Sequence, residues 1–181
     1  MRTADISKAV FKTVGKYGLQ KTTMSDIANA AGISRQTLYN TYSNKEEILR
    51  AAVKFFMDQD LQAVKDAWAD MATLPDKLDV YFEKGPINWY DQIQEMPDAA
   101  DLMEGISEVV EPALKEADTD WIHTLALLFS EYMESAKANE VADFVFVSSK
   151  NAKYSAKTRD QLINRLALLK EMVVSTFLNE E

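Results

Sequence analysis

The stretch GISRQTLYNTYSNKEEIL, residues 32–49, packs two helix starts into a short run and decides how the chain folds around it. Gly32 is suited to the left-handed backbone that stops a preceding helix. Ser34 then caps a new short helix, with Ile33 before it and Leu38 inside it placed to form a hydrophobic staple. Ser43 and Glu46 make an S-x-x-E capping box that opens a further helix through Ile48, Leu49, Ala52, Phe55 and Phe56. Upstream, Thr23 with Asp26 gives a third N-cap, for a short helix with Ile27, Ala28 and Ala31 facing inward. Before it, Ile6, Ala9, Val10, Val14 and Tyr17 trace one helical face that Gly18 terminates. Three caps this close force two very short helices between longer ones, which is the pattern of a helix-turn-helix.

Outside this region the chain remains helical in character. It has 181 residues with five glycines and four prolines, and β-branched alternation is scarce. Pro75, Pro86, Pro97 and Pro112 are expected to divide the middle into several helices. Strongly apolar helices are expected over DTDWIHTLALLFSEYMESAKA from Asp118 and AKTRDQLINRLALLKEMVVSTFL from Ala156. Leu162, Leu166, Leu169 and Val173 form a stripe on the last helix that Ile163, Ala167 and Val174 widen, too apolar to cover one neighbour alone. The expectation is an all-α protein of about nine helices. Residues 1–48 form its helix-turn-helix domain and residues 49–181 a larger helical domain.

Charge divides along the same line. The net charge is −9, yet residues 1–50 hold eight basic and four acidic side chains, a net of +4. The remainder holds twelve against twenty-five, a net of −13, so the two parts have different tasks. The absence of cysteine excludes disulfides and thiolate zinc sites and agrees with a reducing cytoplasm. Asp5 and Lys8 interrupt any signal-peptide h-region, and no apolar run is long enough for a membrane span, so no membrane partner is expected. His123, the single histidine, has no local ligand set, and no nucleophile motif accompanies it. No enzyme, metal or cofactor is expected.

A recognition helix needs short polar and basic side chains on its first turns, where they reach base edges in the major groove. Ser34, Arg35, Gln36, Thr37 and Asn40 meet that requirement, with Leu38 pointing inward. Tyr39, Tyr42, Lys45, Thr22 and Thr23 are placed for phosphates. The run KTTMSDIANAAGISRQTLYNTYSNKEEIL resembles the DNA-binding region of the tetracycline-repressor (TetR) family. The agreeing residues are Thr22-Thr23, Asp26-Ile27-Ala28, Ala31-Gly32-Ile33-Ser34, Thr37-Leu38-Tyr39, Tyr42, Lys45-Glu46 and Ile48-Leu49. Gly15, inside the first helix, and Thr41, where a basic or aromatic residue is more usual, depart from the pattern.

The resemblance implies a homodimer that binds a palindromic operator in double-stranded DNA. It implies a repressor released when a small-molecule effector alters the spacing of the two DNA-binding heads. Two such heads ~34 Å apart would double the site that one short helix reads. Leu162, Leu166, Leu169 and Val173 become the candidate dimer surface. Phe56, Trp68, Phe82, Trp89, Tyr90, Met103, Trp121 and His123 become candidates for lining a largely apolar effector pocket. The alternative, a helical protein-interaction module without sequence-specific DNA binding, accounts for the apolar helices. It leaves the polar start of the third helix without a purpose.

Overall fold

A computed structural model describes residues 3–94 and 99–178, with side chains for 3–94 and 107–176. Among the described residues there are helices and no strands. The helices are α1 (Thr3–Lys21), α2 (Met24–Ala30), α3 (Arg35–Tyr39), α4 (Lys45–Trp68) and α5 (Leu74–Phe82). After a π-helical turn (Glu83–Ile87) come α6 (Asn88–Gln94), α7 (Ala99–Phe129), α8 (Ser135–Ser155) and α9 (Arg159–Leu178). No helix among them is long and apolar enough to cross a membrane.

The chain forms two compact units. The first comprises Met1–Gln59 and Met96–Ala117, the second Asp60–Glu95 and Asp118–Glu181. The first unit buries Ile6, Val10, Val14, Ile27, Leu38, Ile48 and Leu49 with Val110 and Ala113 of α7. The second buries Leu74, Leu78, Tyr81, Leu125, Phe129, Val145, Leu162 and Leu166. In both, the apolar periodicity of each helix supplies the buried face.

Several local expectations are met by different residues. Gly18 does leave the helical conformation, at φ 74, but Tyr17 before it is exposed and Leu19 beyond it is buried in its place. The turn at Gly18 redirects the chain so that the next apolar residue, not the preceding tyrosine, completes the inner face. The start of α4 is capped one residue later than the S-x-x-E box suggests. Asn44 Oδ1 accepts the Glu47 N–H at 2.8 Å, and the Glu47 carboxylate accepts the Ser43 N–H at 2.7 Å. Asn44 offers an amide oxygen at the residue whose carbonyl already takes the first helical bond, from Ile48.

The prolines interrupt less than expected. Pro75 lies in the first turn of α5, where its missing N–H costs nothing. Pro86 is absorbed by the π-helical turn, whose wider hydrogen-bond ring leaves room for it. Pro112 lies inside α7, which runs on through it; both Pro112 and Glu108 one turn earlier are exposed, so water can take the carbonyl left free. Pro97 lies outside the described residues. α7 stops at Phe129 without any glycine or proline. There Ser130 Oγ donates to the Leu127 carbonyl at 2.7 Å, and Tyr132 and Met133 pack on the second core. α9 begins at Arg159, where Thr158 Oγ1 accepts the Gln161 N–H at 3.1 Å.

Candidate nucleic-acid interface

The site begins with the two residues that close α2. The Gly32 N–H donates to the Asn29 carbonyl at 3.2 Å and the Ile33 N–H to the Ala28 carbonyl at 3.0 Å, a Schellman turn. Gly32 has φ 68, and a Cβ there would meet open space, so the requirement for glycine is conformational, not steric. On its other side α2 starts from a complete capping box. Asp26 N–H donates to Thr23 Oγ1 at 3.2 Å, and the Asp26 carboxylate accepts from both the Thr23 N–H and hydroxyl. Those bonds hold the Asp26 carboxyl below its ordinary value.

α3 follows after Ser34, whose hydroxyl accepts the Thr37 N–H at 3.0 Å. Leu38 is fully buried and Ile33 packs on the same cluster, so α3 is pinned by its back. Arg35, Gln36, Tyr39 and Asn40 are exposed and Thr37 is half-buried. The exposed residues are paired one turn apart. The Arg35 guanidinium lies 5.2 Å from the Tyr39 ring centroid and 3.4 Å from its hydroxyl. Gln36 Nε2 donates to Asn40 Oδ1 at 3.0 Å, which leaves Gln36 Oε1 as an acceptor and Asn40 Nδ2 as a donor. Such i, i+4 pairs restrict the rotamers of the side chains that face outward.

Two residues assigned to phosphates hold other partners. Thr22 is buried, with its hydroxyl donating to the Gly18 carbonyl at 2.8 Å, so it locks the α1–α2 turn from inside. Lys45 Nζ donates to the carbonyls of Leu19 at 2.8 Å and Gln20 at 3.1 Å, tying the start of α4 to the end of α1. Thr23 is exposed, but its hydroxyl serves the Asp26 box. Tyr42 is half-buried; burial and the nearby Glu47 carboxylate raise its phenol, which keeps the O–H as a donor.

Sequence reasoning gave no role to Lys8, Lys12 and Lys16, which lie exposed at steps of four along α1; that spacing is the signal. Among the described residues, none of Lys8, Lys12, Lys16, Lys21, Arg35, Lys45 and Arg50 forms an ion pair. Lys54, Lys77, Lys115, Lys137, Lys150, Arg159 and Lys170 all do. Among the described residues, the cations from Lys8 to Arg50, which flank α3 in sequence, are therefore without carboxylate partners.

The effector candidates do not form one group. Phe56 belongs to the first unit, where its ring stacks edge-on with Phe11 at 5.3 Å. Trp68, Phe82, Trp89, Tyr90 and Trp121 belong to the second unit, and Phe82, Tyr90 and Trp121 are buried in its core. Trp68 Nε1 donates to the Lys77 carbonyl at 2.7 Å. His123 is exposed, on the solvent side of α7, contrary to a place in an apolar pocket or core. Met103 falls outside the residues whose side chains are described.

The dimer candidates need a correction as well. Leu162, Leu166, Leu169 and Val173 are buried in the chain's own second core and offer no outer surface. Leu168 and Met172 of α9 are instead 58% and 52% exposed, and Phe144 and Val147 of α8 are exposed too. Of the residues that widen the stripe, Val174 packs on that core, Ile163 is half-buried and Ala167 is exposed, while Leu168 and Met172 form no part of the stripe read from the sequence.

Known proteins show the same design. The family model for bacterial regulatory proteins of the tetR family matches residues 6–52. A curated relative, the uncharacterized HTH-type transcriptional regulator YezE of Bacillus subtilis, is 28% identical over 83 residues. That match takes in 46% of this chain and 43% of the relative, so it spans less than half of the relative's length. A TetR transcription regulator from Haloarcula marismortui superposes with a TM-score of 0.68 at 16% identity, over 93% of this chain and 94% of that one. FadR from Bacillus subtilis in complex with stearoyl-CoA superposes with a TM-score of 0.57 at 17% identity, over 93% and 97%. At such identities the structures attest the fold alone; over residues 6–52 the chain is similar to the bacterial regulatory proteins of the tetR family.

Proposed function

We propose that this protein is a sequence-specific DNA-binding transcriptional regulator, a repressor that a small-molecule effector releases from a palindromic operator. The observation that carries the reading is α3 itself: a short helix pinned by Leu38, presenting Arg35, Gln36 and Asn40 outward, with the described cations from Lys8 to Arg50 free of carboxylate partners. Arg35, Gln36, Thr37 and Asn40 face bases, with Ser34 as the cap that sets their register. Thr23, Tyr39 and Tyr42 face phosphates, and Lys45 contributes its charge from its place on the α1 carbonyls. Residues 1–48 form the DNA-binding part and residues 49–181 the part that dimerises and receives the effector.

The homodimer uses the outer faces of α8 and α9, with Phe144, Val147, Leu168 and Met172 at its centre, because large apolar side chains exposed on both helices call for a partner. The effector is largely apolar and is received by the second unit, whose packed core contains Phe82, Tyr90 and Trp121. FadR, of the same fold, is known in complex with stearoyl-CoA, an acyl ligand that suits an apolar interior. A cytoplasmic location follows from work on DNA.

Selection of bound duplexes from a random pool tests the reading. An enriched palindrome is the expected result. Folded protein that enriches nothing would overturn sequence-specific binding and leave the helical interaction module.

A further inference from the structure

A cleft of about 590 Å³ opens on the second unit beside the last turn of α4. Lys65 and Trp68 of α4 line it, with Met71 beyond them, Lys77 of α5, Leu127 of α7 and Glu131 just after α7. One wall is apolar and held in place. Trp68 packs on the second core, and its Nε1 donates to the Lys77 carbonyl at 2.7 Å, which fixes the indole in one orientation. Leu127 is 56% exposed, although its neighbours Leu125, Leu128 and Phe129 are all buried. The charge of the lining is unbalanced. Lys77 and Glu131 neutralise each other at 3.0 Å, whereas among the described residues no carboxylate lies within ion-pair distance of Lys65. The charged lining residues therefore leave one positive charge over, that of Lys65.

We infer that this cleft binds a small amphipathic monocarboxylate, whose carboxylate pairs with Lys65 while its apolar body covers Trp68, Met71 and Leu127. Size selects a small molecule: clefts of roughly 300–1,000 Å³ take such ligands, whereas a stable protein partner needs roughly 800 Å² of each surface. Charge selects the head group. A carboxylate brings one negative charge at neutral pH, and a phosphate monoester roughly 1.5 to 2. The further charge would meet Glu131 and no second free cation among the lining residues. A cationic amphiphile would face Lys65. The apolar body supplies most of the affinity, because covering Leu127 and the Trp68 ring removes apolar area from water, while an ion pair at an exposed lysine adds little. The cleft lies in the unit to which the proposed function gives the effector. Its regulatory meaning rests on that reading; the binding does not.

Isothermal titration calorimetry of the full chain with decanoate and with decanol, both below micellar concentrations, tests the site. Lys65→Met is expected to weaken decanoate ~3–5-fold and to leave decanol within about twofold, with Lys65→Arg restoring decanoate. Leu127→Gln should weaken both probes at least ~10-fold. Both side chains are exposed, so both variants are expected to keep the parent's helicity. Absence of binding by either probe, or a decanoate affinity that neither variant changes, would overturn the site. Decanoyl-CoA that binds more tightly than decanoate and loses that advantage in Lys65→Met would overturn the carboxylate assignment. A further arm adds decanoate to the complex with the selected duplex. Release of the duplex supports both readings, whereas calorimetric binding without release keeps the site and overturns its role as the effector site.

Discussion

Arg35 and Lys45 lie ten positions apart and illustrate how differently two cations of one module can act. Arg35 is exposed and touches only Tyr39, so its guanidinium is free to exchange that contact for a base edge. Arg35→Ala is expected to lower affinity for the selected operator by ~1–3 kcal/mol while leaving binding to scrambled duplex nearly unchanged. Lys45 bonds two carbonyls of α1. Lys45→Met should therefore weaken all duplexes alike and also reduce folding stability, by about 1–2 kcal/mol in urea titration. An unaltered unfolding midpoint would show that the lysine serves phosphate alone. Asp60 adds a pH effect. Burial raises its carboxyl to about 6, with Lys84 pulling it down. The folded state then holds the proton more tightly than the unfolded one, so stability falls as pH rises from about 4 through 6. Asp60→Asn should remove that slope and stabilise the protein above pH 6 by ~1–2 kcal/mol, read from unfolding at pH 5 and 8.

At the scale of elements, the α2–α3 connection depends on one backbone conformation. Gly32→Ala introduces no clash but strains a residue at φ 68, and is expected to cost about 1 kcal/mol or more. The same change should loosen the presentation of α3, so operator affinity would fall further than stability alone requires. Equal affinity for the operator in the Gly32→Ala variant would separate the turn from recognition. The caps around this turn were legible residue by residue: Thr23, Ser34 and Gly32 act where their spacing placed them. The cap of α4 was not, because Ser43 and Asn44 are both good N-caps, and only the helix start decides which side-chain oxygen is in reach. Pro86 and Pro112 misled for a related reason. A proline removes one donor, and a π-helical turn or an exposed carbonyl tolerates that loss.

For the molecule as a whole, charge and apolar surface have separate places. Residues 1–50 have a net of +4, and their described cations have no carboxylate partners, while Lys77, Arg159 and Lys170 of the acidic remainder each pair with a carboxylate. On the proposed function, the acidic remainder would repel DNA and the basic first fifty residues would attract it. The exposed face of Phe144, Val147, Leu168 and Met172 gives assembly its own test. Met172→Glu combined with Phe144→Glu is expected to yield monomers of unchanged helicity by sedimentation, whereas Leu166→Lys, in the core, should unfold the second unit. A dimer that survives the double change would place the interface elsewhere.

The amino-acid sequence by itself determined the helical class, the order of caps in the first fifty residues, the charge division and the polar residues that α3 turns outward. These are local properties, set by side chains within a few positions of one another. Only the tertiary structure decided which apolar stripe of α9 lies inside, that Thr22 and Lys45 bond α1, and that His123 faces solvent. A helix with two apolar faces cannot announce which of them its neighbours will cover. That choice belongs to the packing of helices far apart along the chain.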